Sequence, residues 1–224
     1  MRKFLCVAGT ILLLVIAAAG IARIYQVNHA EWLEKYGSNV VVYKVGAEAE
    51  FASEMYYMTG YEALSGYYMQ IMGTELIETD ELLSRYNMTL SDLEALSTFG
   101  SEADFSDYTH VYIVTAQFGN RDYATNADYH IEFDNFLLVG PDFCISPSTD
   151  GVNAIPDFNP ELAGASGFGI SSERVLTFKI PFLIDTVSET AISVDYLIQS
   201  CPKLLIGYYP DEIYLELPAP TLKE

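Results

Sequence analysis

The segment nearest to a metal-binding motif alternates polar and apolar residues. Asp128, His130, Glu132 and Asp134 are separated by single Tyr, Ile and Phe residues, so on a strand they share one face at about 6.5–7 Å between successive side chains. One flat row does not supply the converging ligands that a cation needs, and the alternation is typical of the solvated side of a half-buried strand. The Cys and His spacings do not indicate zinc. The pattern therefore favours a strand over a metal site.

The motifs for catalysis and nucleotide binding are incomplete. Ser166 lies in the stretch Gly-Ala-Ser-Gly-Phe-Gly (164–169), where Phe168 replaces the last glycine of G-x-S-x-G and the expected strand–turn–helix context is missing. The same stretch matches neither a Rossmann nor a P-loop pattern. The acid-rich segments 101–108 and 122–128 lack the spacing of an EF-hand loop. We therefore predict no catalytic, metal-binding or cofactor-binding residues, and a protein that is not an enzyme.

Tyrosine is abundant, and part of it is clustered. The chain contains 17 tyrosines, of which five lie close together in sequence: Tyr56, Tyr57, Tyr61, Tyr67 and Tyr68. Clustered tyrosines can bind sugars or peptides, because the ring stacks and the hydroxyl forms hydrogen bonds. Tyrosine is also favoured at half-buried positions of a sheet. The sheet interpretation is preferred, and a recognition patch is the alternative.

The charge balance excludes one large class of partners. The 224 residues include 11 Lys and Arg against 31 Asp and Glu, for a formal net charge of −20. Binding to phosphate backbones needs clustered cations, so nucleic acid is excluded as a partner. Half of the residues are hydrophobic, which is enough to form a core and excludes wholesale disorder.

The N-terminus carries the features of a membrane signal. Arg2 and Lys3 precede an uncharged run over residues 4–22, which as a helix is nearly 30 Å long, roughly the thickness of the hydrocarbon core. The run exceeds the usual 7–15 residues of a cleaved signal peptide, which favours a signal anchor over residues 1–22. Cleavage after Ala19 or Ala22 is the alternative.

The charges that flank this run predict its orientation. Cations precede it, so the positive-inside rule places the N-terminus in the cytoplasm and the rest of the chain outside. Residues 23–38 then form a stem. We expect a single-pass protein of the cell membrane with an extracellular C-terminal domain, or a secreted protein if the leader is cleaved.

Two cysteines lie beyond the leader, at Cys144 and Cys201. An even pair in an oxidising compartment is a candidate disulfide. Two separate buried thiols are the alternative.

The rest of the chain has a strand-like pattern. Segment 110–118 is a near-continuous apolar run, as expected of a central strand buried on both faces. Segment 174–182 places Leu176, Phe178, Ile180 and Phe182 inward. The predicted strands are 39–45, 66–77, 110–118, 129–133, 135–140, 174–182, 191–198, 204–209 and 213–217.

Two short helices interrupt the strands. The first covers 79–86 with Thr79 as its N-cap, and the second covers 91–96 with Ser91 and Glu94 as a capping box. A long segment rich in Pro, Gly, Ser and Asn, 141–172, is either a functional or a mobile loop.

These elements predict an all-β fold with a short helical insertion. Strands joined by turns, without βαβ alternation, are typical of a two-sheet sandwich. We assign the sandwich to residues 39–218 and a tail to residues 219–224.

The order of the strands carries a resemblance to a known class of domain. The predicted span is followed by VVVYKVG, YYMQIMGTELI, THVYIVTAQFGN, DNFLLVGPDF and SSERVLTFKIPF. Over residues 38–217 this resembles the immunoglobulin-like exodomains of unknown function that follow a single N-terminal anchor in bacterial, especially Gram-positive, proteins. The resemblance implies an immunoglobulin-like fold and an extracellular location, and it supplies no catalytic residues.

The predicted function follows from the leader, the strand pattern and the incomplete catalytic motifs. We expect a non-enzymatic cell-envelope protein whose sandwich binds another envelope protein or a surface glycan. The alternatives are an accessory subunit or spacer of an envelope transport or secretion system, and an unrecognised secreted hydrolase that uses acids near 141–172.

Overall fold

A computed structural model describes the domain over residues 39–51, 55–57, 60–62, 66–97, 104–122, 131–149, 151–162, 165, 167–171, 174–207 and 211–223, with only the backbone at 55–57, 60–62 and 223. The predicted anchor (1–22) and stem (23–38) lie outside these residues, as do Asp128, His130 and Ser166. In the described ranges, no helix is long and apolar enough to cross a membrane.

Strands dominate the described residues. They are β1 (Asn39–Tyr43), β2 (Glu48–Glu50), β3 (Met55–Tyr57), β4 (Gly60–Glu62), β5 (Tyr67–Glu78), β6 (Tyr108–Asn120), β7 (Ile131–Glu132), β8 (Leu137–Val139), β9 (Cys144–Ile145), β10 (Gly167–Phe168), β11 (Val175–Asp185), β12 (Lys203–Gly207), β13 (Asp211–Glu216) and β14 (Thr221–Lys223). The helices are α1 (Thr79–Arg85), α2 (Leu90–Leu96) and α3 (Val194–Gln199), with 3-10 turns at Phe133–Asn135 and Val152–Ala154.

Two five-stranded sheets form the framework. The first sheet has the order β1-β13-β12-β8-β9, and the second has the order β11-β6-β5-β14 with β2 also paired to β5. Strands β1 and β13 are parallel, as are β14 and β5, and the other pairs are antiparallel. Two small sheets, β3–β4 and β7–β10, complete the pairing.

The main core lies between the two sheets. Met69, Phe118 and Phe178 of the second sheet belong to one buried cluster with Leu204 and Ile213 of the first. Burial of two inner faces against each other is the principle of a β-sandwich. The predicted all-β, sandwich-like class is confirmed, and its more specific immunoglobulin-like nature stays a prediction. The predicted inward residues of β11 are all buried: Leu176, Phe178, Ile180 and Phe182.

A second apolar layer covers the outer face of the second sheet. Val111 and Ile113 of β6 pack in a cluster with Leu83 of α1, Leu93 of α2 and Phe158. The alternate residues of β6 point into the main core. Strand β6 is therefore central and buried on both faces, as its apolar run predicts.

The predicted strand 191–198 is wrong, because this segment contains helix α3. The hydroxyl oxygen of Ser193 accepts a hydrogen bond from the Tyr196 amide at 3.2 Å, which is the geometry of an N-cap. The helix buries Leu197, Val194 is partly buried against the main core, and Tyr196 is exposed.

The helix caps also differ from the prediction. Helix α2 is capped two residues earlier, where Thr89 and Asp92 form the capping box in place of Ser91 and Glu94. Thr79 is the first residue of α1 rather than its N-cap, and its hydroxyl donates to the Tyr108 carbonyl oxygen at 2.6 Å. The existence of both helices is confirmed.

The predicted C-terminal tail contributes to the fold. Residues 219–224 include β14, which pairs with β5 from Glu75 to Ile77. The sheet therefore extends past residue 218.

Candidate binding groove

A groove of about 840 Å³ opens where the ends of the two sheets meet. One wall is the segment 142–149, which contains β9, the last strand of the first sheet. The opposite wall is the end of β11, the last strand of the second sheet, followed by residues 190–192. We call this feature the acidic groove, for the charges described below.

We call the apolar side chains in the lining of the acidic groove its floor. Phe105, Phe143, Ile145 and Ile192 are partly buried, and Leu183 is 8% exposed. These side chains present apolar surface to a ligand, and the core behind them keeps them in place.

The charged side chains of the acidic groove are carboxylates. Asp104, Asp142 and Asp185 line it, and the lining residues in the described ranges include no Lys, Arg or His. An apolar floor with one sign of charge at its border favours a ligand that is partly apolar and positively charged.

Local hydrogen bonds hold two of these carboxylates in the ionised form. The Ser188 hydroxyl donates to the Asp185 carboxylate, and the Ser188 and Val187 amides donate at 2.9 Å each. These bonds lower the pKa of Asp185, with the hydroxyl bond as the largest cause. Hydrogen bonds from Ser106 likewise lower the pKa of Asp104. Both groups therefore stay negative well below neutral pH.

The third carboxylate is held by a residue of α3. The Tyr196 hydroxyl donates to Asp142 at 2.6 Å, and this bond raises the pKa of Tyr196. The neighbouring Phe143 ring meets the Tyr196 ring edge-on at 6.3 Å between centroids. Helix α3 therefore supports the wall that contains β9.

The described residues do not place the row Asp128, His130, Glu132 and Asp134 along one strand face. Glu132 ends β7, and the chain turns at Phe133 before Asp134, so the strand does not continue along one face. Asp128 and His130 lie outside the described ranges. In the part of the chain that the structure describes, no cluster of His, Cys, Asp and Glu could hold a metal ion.

The residue that breaks the serine-nucleophile motif is part of the core. Phe168 is 7% exposed and lies 4.5 Å from Phe178 and 5.0 Å from Phe118 between ring centroids. The Gly-rich stretch around Phe168 therefore carries a core aromatic residue.

The predicted disulfide is not formed. Cys144 and Cys201 are free, exposed thiols, so the alternative of buried thiols is also wrong. Val139 of β8 pairs with Cys144 on one side and with Lys203 of β12 on the other, so β8 separates the two cysteine-bearing segments.

The described part of the tyrosine cluster belongs to the sheet. Tyr67 is fully buried and its hydroxyl oxygen accepts from the Ile170 amide at 3.3 Å. Tyr68 is partly buried beneath the guanidinium of Arg121, 4.4 Å from the ring centroid. The side chains of Tyr56, Tyr57 and Tyr61 are outside the described set.

Most of the acidic groove was missed at the sequence level. Its lining comes from Ser97, 104–108, 142–149, Gly151 and 183–192, which include segments distant in sequence. The available signals were the unusual composition of 141–172 and the acids of 101–108. Neither signal shows that the fold of the two sheets brings these segments together.

The family model for a domain of unknown function, DUF5028, matches residues 40–213. This range begins in β1 and ends in β13, so it contains both sheets. The chain belongs to the DUF5028 family. The prediction of a domain of unknown function is thereby confirmed, and the acidic groove lies within the DUF5028 range. No curated protein and no solved structure matches the chain.

Proposed function

We propose that this DUF5028 protein is a non-enzymatic protein of the cell envelope. Residues 4–22 anchor it in the membrane, and an immunoglobulin-like sandwich outside the membrane binds a partner in the acidic groove. The observation that carries the proposal is the groove itself, which combines an apolar floor with fixed carboxylates. Its volume lies within the range of about 300–1,000 Å³ for ligand sites.

The state of the ionisable groups favours binding over hydrolysis. A carboxylic acid that protonates a leaving group near neutral pH needs a raised pKa, whereas the pKa values of Asp104 and Asp185 are lowered. Desolvation by neighbouring groups raises the pKa of Cys144, which keeps the thiol protonated and weakly nucleophilic. Fixed charges of this kind suit the recognition of a complementary ligand.

The binding role is tested by photocrosslinking in intact cells. A photoreactive amino acid at Ser146, which is exposed at the groove, is compared with one at Val175, which is 55% exposed at the opposite end of β11. We expect a defined adduct from Ser146 that is lost when Asp104→Asn and Asp185→Asn are introduced together. Adducts of equal yield from both positions, or none from Ser146, would contradict the proposal.

The location is tested separately. Protease added to intact cells should degrade the domain and leave the N-terminal span in the membrane, and mass spectrometry of the N-terminus should find residues 1–22 retained. Protection of the domain would contradict an extracellular location. Loss of residues 1–22 would show secretion after cleavage in place of anchoring.

A further inference from the structure

We propose that the acidic groove binds an extended cationic peptide, which adds as a strand to β9. This inference depends on the proposed function and names the chemical class of its ligand. The backbone, the charges and the shape of the groove each support it.

Strand β9 is at the edge of the first sheet and lines the groove. Strand β9 is the terminal strand of the first sheet and pairs with β8. In the described residues, β8 is its one strand neighbour. An extended peptide can add to such an edge through main-chain hydrogen bonds.

Two main-chain carbonyls of β11 already accept hydrogen bonds. The Pro181 carbonyl accepts from the Ser148 amide at 2.8 Å, which joins β11 to the segment that follows β9, and the Asp185 carbonyl accepts from the Ile192 amide at 2.9 Å. The peptide is therefore expected to pair with β9, and β11 contributes side chains.

The charges of the groove favour a positively charged peptide. The three groove carboxylates are complementary to Lys or Arg side chains, and the lowered pKa values of Asp104 and Asp185 keep their charge in place at mildly acidic pH. An anionic segment is repelled by these groups and by the formal net charge of −20.

The lining of the groove also favours a peptide in which apolar and basic residues alternate. Side chains of a strand alternate between two faces, so apolar residues of the peptide can contact Phe143 and Leu183 while the intervening basic residues reach the carboxylates. The probe is a hexapeptide, which spans about 20 Å when extended.

The test uses the full chain in detergent and three synthetic hexapeptides. The first alternates Val and Lys, the second alternates Val and Glu, and the third is the Val-Lys peptide with N-methylated backbone amides. We expect the Val-Lys peptide to bind by fluorescence anisotropy and each of the other two to bind at least about tenfold more weakly. Binding should also weaken as the salt concentration rises.

Matched variants assign the binding to the groove. Asp104→Asn with Asp185→Asn removes two groove charges and keeps side-chain oxygens that accept hydrogen bonds. Asp134→Asn with Glu212→Gln removes two acids that do not line the groove. We expect about a tenfold or larger loss of affinity in the first pair and less than a twofold change in the second. Equal losses in both pairs would show a general charge effect and overturn the inference.

The wild-type peptide comparisons remain decisive if a variant folds poorly. Equal affinity of the N-methylated and unmodified peptides rules out strand addition, and equal affinity of the Val-Lys and Val-Glu peptides rules out charge selection. If no peptide binds but the Ser146 crosslink is still formed, this inference alone is overturned. The ligand is then a glycan or a folded protein surface. Failure of both experiments overturns the proposed function as well.

Discussion

At the scale of single residues, the amide side chain of Asn159 completes the edge of a sheet. Its Nδ2 donates to the Lys179 carbonyl at 2.8 Å and its Oδ1 accepts from the Lys179 amide at 2.9 Å. The side chain therefore bonds β11 as a neighbouring strand would, and a further bond to Asn153 at 2.7 Å holds it in place. Segment 151–162, predicted as part of a functional or mobile loop, is packed along the sheet by these bonds.

Asn159→Ala is expected to destabilise the protein by about 2–4 kcal/mol, because Asn159 is 5% exposed and its loss leaves both Lys179 backbone groups without that partner. Chemical denaturation at neutral pH measures the change in the free energy of unfolding. The control is Asn39→Ala, which removes an exposed hydrogen bond to Asp211 and is expected to cost less than about 0.5 kcal/mol. Similar costs for both variants would show that the bonds to β11 contribute little.

Tyr112 sets an alkaline limit to stability. Burial raises its pKa from 10.0 to about 12, although a hydrogen bond with Thr74 acts in the opposite direction. The folded pKa lies above the unfolded one, so this contribution is complete below pH 10 and is lost as the pH rises towards 12. We expect the free energy of unfolding to fall over this range, and to fall less in Tyr112→Phe. Identical pH dependence in both proteins would contradict the assignment.

At the scale of elements, the long strands could be predicted from the sequence and the short helix α3 could not. Strands β5, β6 and β11 repeat their apolar pattern over many residues, so small errors in phase do not hide it. Helix α3 has only six residues, and Ile192, Val194 and Tyr196 imitate the alternation of a strand. The Ser193 cap and the burial of Leu197 stabilise the helix, and the burial of Leu197 depends on the tertiary environment.

Helix α2 allows a direct comparison of the predicted and observed caps. Thr89→Ala removes the observed capping box and is expected to cost about 1 kcal/mol. Ser91→Ala, at the predicted cap, is expected to change the free energy of unfolding by less than about 0.5 kcal/mol. Thermal unfolding of both variants measures the difference. A larger effect from Ser91→Ala would show that the helix is capped at Ser91.

Hydrogen bonds from Thr89 lower the pKa of Asp92, so the contribution of Asp92 to the free energy of unfolding should be lost as the pH falls below about 4.

At the scale of the whole molecule, the acidic groove is a product of the sheet arrangement. It forms because β9 and β11 are the terminal strands of the two sheets and end near each other. Hydrophobic patterning predicts which residues are buried, but it does not give the order of strands in a sheet. The acidic composition could be read directly from the sequence, whereas the concentration of carboxylates beside an apolar floor required the topology.

The C-terminal strand tests how far the domain extends. Two short strands, β2 and β14, cover successive parts of one edge of β5. The Thr74 hydroxyl holds the segment that precedes β14 by donating to the Pro218 carbonyl at 2.8 Å. Deletion of residues 219–224 removes the β14 pairing and exposes the edge of β5. We expect a loss of about 1–3 kcal/mol in the free energy of unfolding and increased self-association in sedimentation velocity, since open edges pair with other chains.

Leu222→Ala is the control for this deletion. Its side chain is 60% exposed and backbone pairing is kept, so the free energy of unfolding should change by less than about 0.5 kcal/mol. A deletion as neutral as this control would show that the segment is a tail after all, as the sequence pattern predicts.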